Sequence, residues 1–270
     1  MTHSKHPIPQ LGFPITETHC HLDFLAPEAV AATLELARAQ GVHRFVTIGT
    51  APDNLDRVKE IAGAHNDVWC TLGIHPHDAK SADVDVMTRI RTDSISAIRV
   101  VAVGEIGLDY HYGYSEKKVQ QTVFETQLQI AADLDLPVVI HSREADDDTQ
   151  AILANFASTR AIKGVIHSFT SGIGLAEYCL SENFMLGFNG IITFNRAENV
   201  RDVLKITPLD RMVVETDTPY LTPVPYRGKE NAPCYLPFIV QRMASEKALA
   251  VDEMLAHLEA NANRLFPGLI

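Results

Sequence analysis

A short run near the amino terminus places two histidines where they could bind one metal ion. His19 and His21 are two positions apart at the end of a strand-like run, Ile15 to His21. Successive side chains of a strand alternate between its faces, so both imidazoles are expected on the same face. Two imidazoles on one face can coordinate a single cation, and the alternative is the polar face of an ordinary edge strand.

Other histidines and carboxylates stand at or just after the carboxyl ends of further strand-like runs. They are His75 and His77 after the third run, Glu105 at the end of the fourth, His141 at the end of the fifth, His167 near the end of the sixth and Asp217 after the eighth. Taken singly, each has an ordinary alternative: a solvated strand end, a core histidine or the start of a turn before proline. Their repeated placement at strand ends of one sense favours a shared metal site.

A shared site requires a fold that brings the ends of these strands together, and the order of the predicted elements indicates such a fold. Short apolar runs alternate with longer segments of helical periodicity, which indicates repeated β-α units. The runs are Ile15 to His21, Arg44 to Gly49, Trp69 to Ile74, Val100 to Glu105, Pro137 to His141, Gly164 to Ser168, Phe184 to Asn189 and Met212 to Thr216. Helices are predicted at, for example, Pro27 to Gln40, Asn54 to His65, Lys117 to Leu134, Ala145 to Ala157, Leu236 to Glu246 and Val251 to Leu265.

The alternation predicts an α/β fold, a (β/α)8 TIM barrel forming a single domain over residues 15–270, with residues 1–14 as a short lead-in. No Gly-x-Gly-x-x-Gly follows a strand, which disfavours a doubly wound dinucleotide-binding sheet. In a barrel of this kind, active sites lie at the carboxyl ends of the strands. The scattered polar residues are therefore expected to meet there.

Composition excludes some functions and leaves others open. The formal net charge of −11 argues against a protein that coats nucleic acid through bulk electrostatics. An enzyme acting on a strand end needs only local positive charge, which bound metal can supply. The four cysteines are scattered, and the first residues lack the apolar segment of a secretory signal, so we expect reduced thiols in a cytoplasmic protein. No apolar run is long enough to span a bilayer, and the oligomeric state is left open.

The chemistry of the candidate ligands points to hard or borderline divalent ions. The set is rich in imidazole and carboxylate and contains no plausible cysteine ligand, which suits Zn, Mn, Ni, Fe or Mg. Four histidines and two carboxylates exceed the needs of one tetrahedral ion. We therefore predict two divalent metal ions bridged by a carboxylate, with Glu105 as the best bridge. Such pairs stabilise both the attacking and the leaving oxygen in hydrolysis.

Six segments in a fixed order carry a resemblance to a known family. They are Glu17 to Asp23, Gly73 to His77, Gly104 to Tyr110, Pro137 to Glu144, His167 to Gly172 and Glu215 to Pro223, with further matches at Arg227 to Lys229 and Asn261 to Phe266. Together they resemble the signature blocks of the TatD family of metal-dependent deoxyribonucleases, over about residues 15–266. Two positions depart from the usual pattern: Glu17 stands where Asp is common, and Ser168 stands where Cys is common.

The resemblance implies a TIM-barrel hydrolase with a defined ligand set. One metal would be held by His19, His21, Glu105 and Asp217, and a second by Glu105, His141 and His167. The ions would be Mg²⁺, Mn²⁺ or Zn²⁺, with Glu105 and Asp217 as the catalytic residues and Asp217 as general base. The implied activity is cleavage of DNA phosphodiester bonds, often from the 3′ end, with DNA or another nucleic acid as the substrate. The alternative is an acyl or amide hydrolase, such as a D-aminoacyl-tRNA deacylase.

Substrate contacts are predicted from residue type and position at the same face. Four residues are proposed for this role: His75, His77, Arg143 and Arg227. Arg143 could grip a phosphate in a bidentate manner, or could instead pair with Glu144. Of the two loop histidines, one is expected to contact phosphate while the other is structural. Three tyrosines could stack on bases or pack within loops: Tyr110, Tyr220 and Tyr226.

Overall fold

A computed structural model describes residues 6–97 and 99–269 and contains one eight-stranded parallel sheet in chain order. Its strands are β1 (Ile15–Cys20), β2 (Val42–Ile48), β3 (Val68–Leu72), β4 (Val100–Asp109), β5 (Val138–Arg143), β6 (Gly164–Ile166), β7 (Phe184–Phe188) and β8 (Met212–Val214). The sheet nearly closes on itself. Beyond β8, the Asp217 amide donates to the His19 carbonyl and the His21 amide donates to the Thr218 carbonyl, each at 2.9 Å. The predicted single-domain TIM barrel is confirmed.

Helices cover the outside of the barrel. They are α1 (Pro27–Arg38), α2 (Leu55–Ala64), α3 (Val84–Ser96), α4 (Lys117–Leu134), α5 (Asp146–Leu153), α6 (Ile173–Ser181), α7 (Glu198–Ile206), α8 (Leu236–Glu246) and α9 (Val251–Leu265). In α2, for example, Leu55, Val58 and Ile61 are buried at helical spacing against the strands. No helix within the described residues has both the length and the apolar character needed to cross a membrane.

The amino-terminal end of the barrel is closed by the end of the chain. Side chains from β2 to β8 form an interior cluster with Leu265, Phe266 and Leu269. Beside them, Glu259 of α9 forms an ion pair with Arg44 of β2 and accepts a hydrogen bond from the Thr16 hydroxyl at 2.9 Å. Apolar and paired side chains therefore fill this end, and the opposite end carries the unusual polar residues.

Strand β4 differs from its prediction, because it does not end at Glu105 but continues to Asp109. The pairing with β5 shifts register between Val103 and Ile106, so Glu105 lies in an irregular part of the strand. Gly107 has a φ of +137°, and a Cβ there would lie 2.0 Å from the His141 carbonyl oxygen. Only glycine fits this close approach. The polar Glu105 therefore marks a local irregularity inside the strand, and pairing resumes beyond it.

Candidate metal centre

The six predicted metal ligands converge at the carboxyl end of the barrel, with Glu105 at their centre. Oε1 of Glu105 lies 2.7 Å from Nε2 of His167 and 3.1 Å from Nδ1 of His141. Oε2 lies 3.5 Å from Nε2 of His19 and 3.9 Å from Nε2 of His21. The two oxygens of one carboxylate thus face two different groups of imidazoles.

Asp217 completes the half of the cluster on the Oε2 side. Its Oδ1 lies 3.4 Å from Nε2 of His21 and 3.7 Å from Nε2 of His19. Burial opposes ionisation of this carboxyl, but hydrogen bonding from His21 and the nearby charges of His167 and His19 outweigh it, so the pKa of Asp217 is lowered. Its side chain keeps 13% of its surface exposed, so it can reach water at the mouth of the site.

The donor set fits divalent cations. His19 is buried, and neither of its ring nitrogens has a hydrogen-bond partner among the described residues; the same holds for Nδ1 of His21. Buried polar atoms normally have a hydrogen-bond partner, because burial of a polar atom without one costs free energy. Three groups have ligand atoms within 4.8 Å of one another: His19, His21 and Asp217; His19, Glu105 and His167; and His75, Glu105 and His141. Coordination of an ion would satisfy these nitrogens and the carboxylate together.

Charge balance around Glu105 also suits a cation. Burial alone would raise the pKa of Glu105, yet the neighbouring charges of His167 and His75, with hydrogen bonds from His141 and His167, hold it well below its usual range. Burial would lower the pKa of His167, but the opposing carboxylate raises it well above normal. The anionic centre thus attracts positive charge, which protons or metal ions can supply.

The two histidines after β3 lie at the same site and have different surroundings. Nε2 of His75 points at Oε1 of Glu105 from 3.4 Å, and Nδ1 of His75 accepts the His77 amide hydrogen at 3.1 Å. Nε2 of His77 instead lies 3.0 Å from Oδ2 of Asp109. His75 therefore belongs to the Glu105 cluster, whereas His77 lies one layer further out.

Asp109 is a site residue that the sequence reasoning missed. Its Oδ2 lies 3.0 Å from Nε2 of both His77 and His141, and its Oδ1 accepts the amide hydrogens of His111 and Tyr112 at 3.0 Å. These hydrogen bonds outweigh the effect of burial and hold the pKa of Asp109 low. The signal was present in the sequence, because Glu105, Gly107 and Asp109 are spaced by two in a strand and share a face.

The two predicted arginine contacts lie at the rim. The Arg143 guanidinium is 4.9 Å from the centre of the Tyr112 ring, while Glu144 pairs with Nδ1 of His111 at 2.6 Å. Arg227 is exposed in the loop after β8, and its guanidinium stacks over Phe194 at 3.9 Å. Neither arginine touches the Glu105 cluster within the described structure, so any contact with substrate would be made outside the metal centre.

The three tyrosines suggested for base stacking have different fates. The Tyr110 hydroxyl donates to Asp148 at 2.6 Å, and the Tyr226 ring stacks on another tyrosine in its own loop at 4.7 Å. Tyr110 is held by this hydrogen bond and Tyr226 by ring stacking, and both side chains are half-buried. Tyr220 remains 56% exposed and is the one of the three that presents its ring at the surface.

Comparison with known proteins agrees with this geometry. The family described as TatD related DNase matches residues 16–267. The chain belongs to the TatD family. It is 37% identical to the uncharacterized metal-dependent hydrolase YcfH of Escherichia coli K12 over 257 residues, covering 93% of this chain and 95% of that protein. It is 35% identical to the 3′-5′ ssDNA/RNA exonuclease TatD of Erwinia amylovora over 236 residues, covering 85% and 90%.

A solved TatD structure has the same fold. The TatD homolog YjjV of Escherichia coli K12 superimposes with a TM-score of 0.88 at 30% identity, covering 94% of this chain and 98% of that one. Together with the family match, these relatives confirm the resemblance noted in the sequence. The chain is thus a metal-dependent hydrolase of the TatD family.

Proposed function

We propose that this TatD protein is a metal-dependent deoxyribonuclease that removes nucleotides from the 3′ end of DNA. The observation that carries the proposal is the central carboxylate, Glu105, whose two oxygens face separate groups of imidazoles. Ligand groups on both sides of one carboxylate would suit two divalent ions, which can stabilise the attacking and the leaving oxygen in displacement at phosphorus. A TatD relative named as a 3′-5′ ssDNA/RNA exonuclease supports the choice of substrate and polarity.

In this proposal the chain holds two divalent ions, Mg²⁺, Mn²⁺ or Zn²⁺. His19, His21 and Asp217 would hold one ion together with Glu105, and His141 and His167 would hold the other, also with Glu105. Ions bound there would supply a nucleophile from water at neutral pH and would neutralise charge on the phosphoryl oxygens. Glu105 keeps the two positions in a fixed relation.

Asp217 is proposed as the general base. Its lowered pKa keeps it ionised at neutral pH, and its partly exposed side chain lies beside the His19 and His21 ligands. An ionised carboxylate in that position can accept a proton from the attacking water. Its backbone lies in the left-handed region, with a φ of +58°. The closing hydrogen bonds to β1 hold this conformation in place.

Substrate binding is proposed for the residues around the mouth of the site. His75, beside Glu105, and His77, beside Asp109, would lie near the scissile phosphate. Arg143 and Arg227 would contact phosphates further along the strand, because both lie outside the cluster. Local cations of this kind can hold a short stretch of DNA despite the net charge of −11. A cytoplasmic location stays a prediction from the scattered cysteines.

The proposal is tested with purified protein and a 5′-labelled single-stranded DNA. After removal of metal with EDTA, shortening from the 3′ end should return on addition of Mg²⁺ or Mn²⁺. The variants Glu105→Gln and Asp217→Asn should lose about 10²- to 10⁴-fold in rate. Glu125→Gln is the matched control, since Glu125 is exposed on α4, and it should keep full activity.

Two results would contradict the deoxyribonuclease proposal. One is the absence of any metal-dependent shortening of DNA. The other is turnover of a D-aminoacyl-tRNA or a small ester by protein that leaves DNA and RNA intact, which would assign the same centre to acyl hydrolysis. Equal activity of wild type and Asp217→Asn on DNA would remove Asp217 from the proposed role.

A further inference from the structure

Two clusters of exposed aromatic rings flank the metal centre. The first, here called the β4 patch, consists of Tyr112 and Tyr114, which follow β4 and are 40% and 57% exposed. The second, the β8 patch, consists of Phe24 after β1 and Tyr220 after β8, which are 48% and 56% exposed. Large aromatic side chains gain free energy when buried, so clustered exposed rings beside a catalytic site indicate a ligand that covers them.

The β4 patch is joined to the centre by short contacts. The rings of Tyr112 and Tyr114 stack at 5.5 Å with an interplanar angle of 15°. His77 meets both rings edge-on, at 5.3 Å and 4.8 Å. Through Asp109, the same histidine is linked to His141, one of the residues around Oε1 of Glu105. The patch therefore lies on the Oε1 side of the bridging carboxylate.

The β8 patch is joined to the other half of the centre. Phe24 stacks on His21 with 4.8 Å between ring centres and an angle of 11°. Tyr220 lies 6.3 Å from Phe24 in an edge-to-face arrangement. His21 faces Oε2 of Glu105 and Oδ1 of Asp217. In the strand order from β1 to β8, β4 lies across the barrel from β8, so the two patches stand on opposite sides of the site.

Given the proposed nuclease function, we propose that the two patches hold the nucleobases on either side of the scissile phosphate of single-stranded DNA. Flat rings of every base can stack on exposed aromatic side chains, which gives affinity without sequence preference. The Arg143 guanidinium lies over the Tyr112 ring and adds positive charge to the β4 patch, so a base would stack on the more exposed Tyr114 ring. Stacking also suits an acidic protein, because it holds a strand with few phosphate contacts.

The mode of binding has a consequence for substrate choice. Bases in a duplex stack on each other and are not free to lie on protein rings, whereas bases of a single strand are. The patches therefore favour unpaired 3′ ends over blunt duplex ends. Because each patch stacks on one flanking base, removal of a base should weaken DNA binding only at the two positions next to the scissile bond.

The test compares loss of the ring with loss of the base. The enzymes are wild type, Tyr112→Ala/Tyr114→Ala and Phe24→Ala/Tyr220→Ala, each assayed with Mn²⁺ on a single-stranded oligonucleotide. Matched oligonucleotides carry an abasic residue at the terminal, the penultimate or a distant position. Both kcat/KM for release of the terminal nucleotide and Kd by fluorescence anisotropy are measured, so that binding is recorded even where cleavage is absent.

We expect the wild type to lose about 5- to 150-fold in affinity when a flanking base is removed. Each double alanine variant should bind the intact strand more weakly than wild type by a similar factor. Removal of the matching base should then cause no further loss of affinity in that variant. Substitution of the tyrosines by phenylalanine should restore wild-type behaviour, because the ring is retained. Phe13→Ala is the control, since Phe13 is 56% exposed but precedes β1, at the other end of the barrel, and should change nothing.

Other outcomes would overturn the proposal. These are equal affinity of wild type for intact and abasic strands, or additive losses from base removal and ring removal. A change of oligomeric state in the alanine variants without any change in DNA affinity would assign the patches to self-association and also overturn it. Specific stacking measured by anisotropy, in protein that cleaves no DNA, would support the patches and contradict the nuclease proposal.

Discussion

Replacement of Asp109 by asparagine should weaken metal binding although Asp109 is not itself in the ligand set. Each of its two oxygens accepts from two N–H groups: the rings of His77 and His141 on one side, and the amides of His111 and Tyr112 on the other. An ionised carboxylate only accepts, so Nε2 of His141 must donate to Asp109, which leaves Nδ1, beside Glu105, as the ring nitrogen that can give up its proton and bind an ion. An amide has one oxygen, so in either orientation two of the four donors lose their acceptor.

Loss of this kind of support for a metal-binding histidine typically costs about 10- to 100-fold in affinity. At 1.4 kcal/mol per tenfold, this is about 1.4 to 2.8 kcal/mol for the ion on the Oε1 side of Glu105. Isothermal titration of Mn²⁺ into metal-free wild type and Asp109→Asn measures it, with Asp252→Asn on the exposed first turn of α9 as the control. Wild-type affinity in a folded Asp109→Asn variant would refute the role given to Asp109.

Further predictions concern pH, thiols and a buried acid. Burial would lower the pKa of His141, but its interactions with the carboxylates of Asp109 and Glu105 are stronger and raise this pKa above its usual value. A metal ion must therefore displace a proton from His141, and metal affinity should fall by up to about tenfold per pH unit below that pKa. Titrations in buffers of different ionisation enthalpy count the protons released. Burial raises the pKa of Cys70 to about 12, so this thiol should react with a disulfide reagent at pH 8 only on unfolding. The free energy of unfolding of Glu17→Gln, measured with urea, should lie within about 0.5 kcal/mol of the wild-type value, whereas that of Glu17→Ala should be lower by about 1 to 3 kcal/mol. An equal loss in the two variants would show that the charge of Glu17 matters.

The alternation of apolar runs and helical segments predicted the barrel, and strand-end position predicted the cluster. Both predictions use local information, because the spacing of apolar residues indicates strands and helices, and the direction of the chain shows which end of each strand is the carboxyl end. The sequence does not predict Asp109 as a site residue, because the polar Glu105 predicts the end of β4, and the register shift that lets the strand continue depends on contact with β5. The exposure of Tyr112 and Tyr114 likewise depends on tertiary packing, which residue type alone does not specify.

The geometry of the metal centre also depends on two buried acids beneath it, Glu17 and Glu215, neither of which is predicted to be a metal ligand. Oε1 of Glu17 accepts the amide hydrogens of His19 and Thr216, at 3.1 Å and 2.9 Å, and so ties β1 to the end of β8. Oε1 of Glu215 accepts the Ser168 amide hydrogen at 2.5 Å, which ties the end of β8 to the residue after His167. Burial raises the pKa of Glu17 to about 8, so it holds the backbone largely as a neutral acid and adds little negative charge. Because β6 and β8 have only three residues each, such cross-strand bonds fix their ends. The positions of His167 and Asp217 therefore depend on backbone that buried carboxyl groups hold in place.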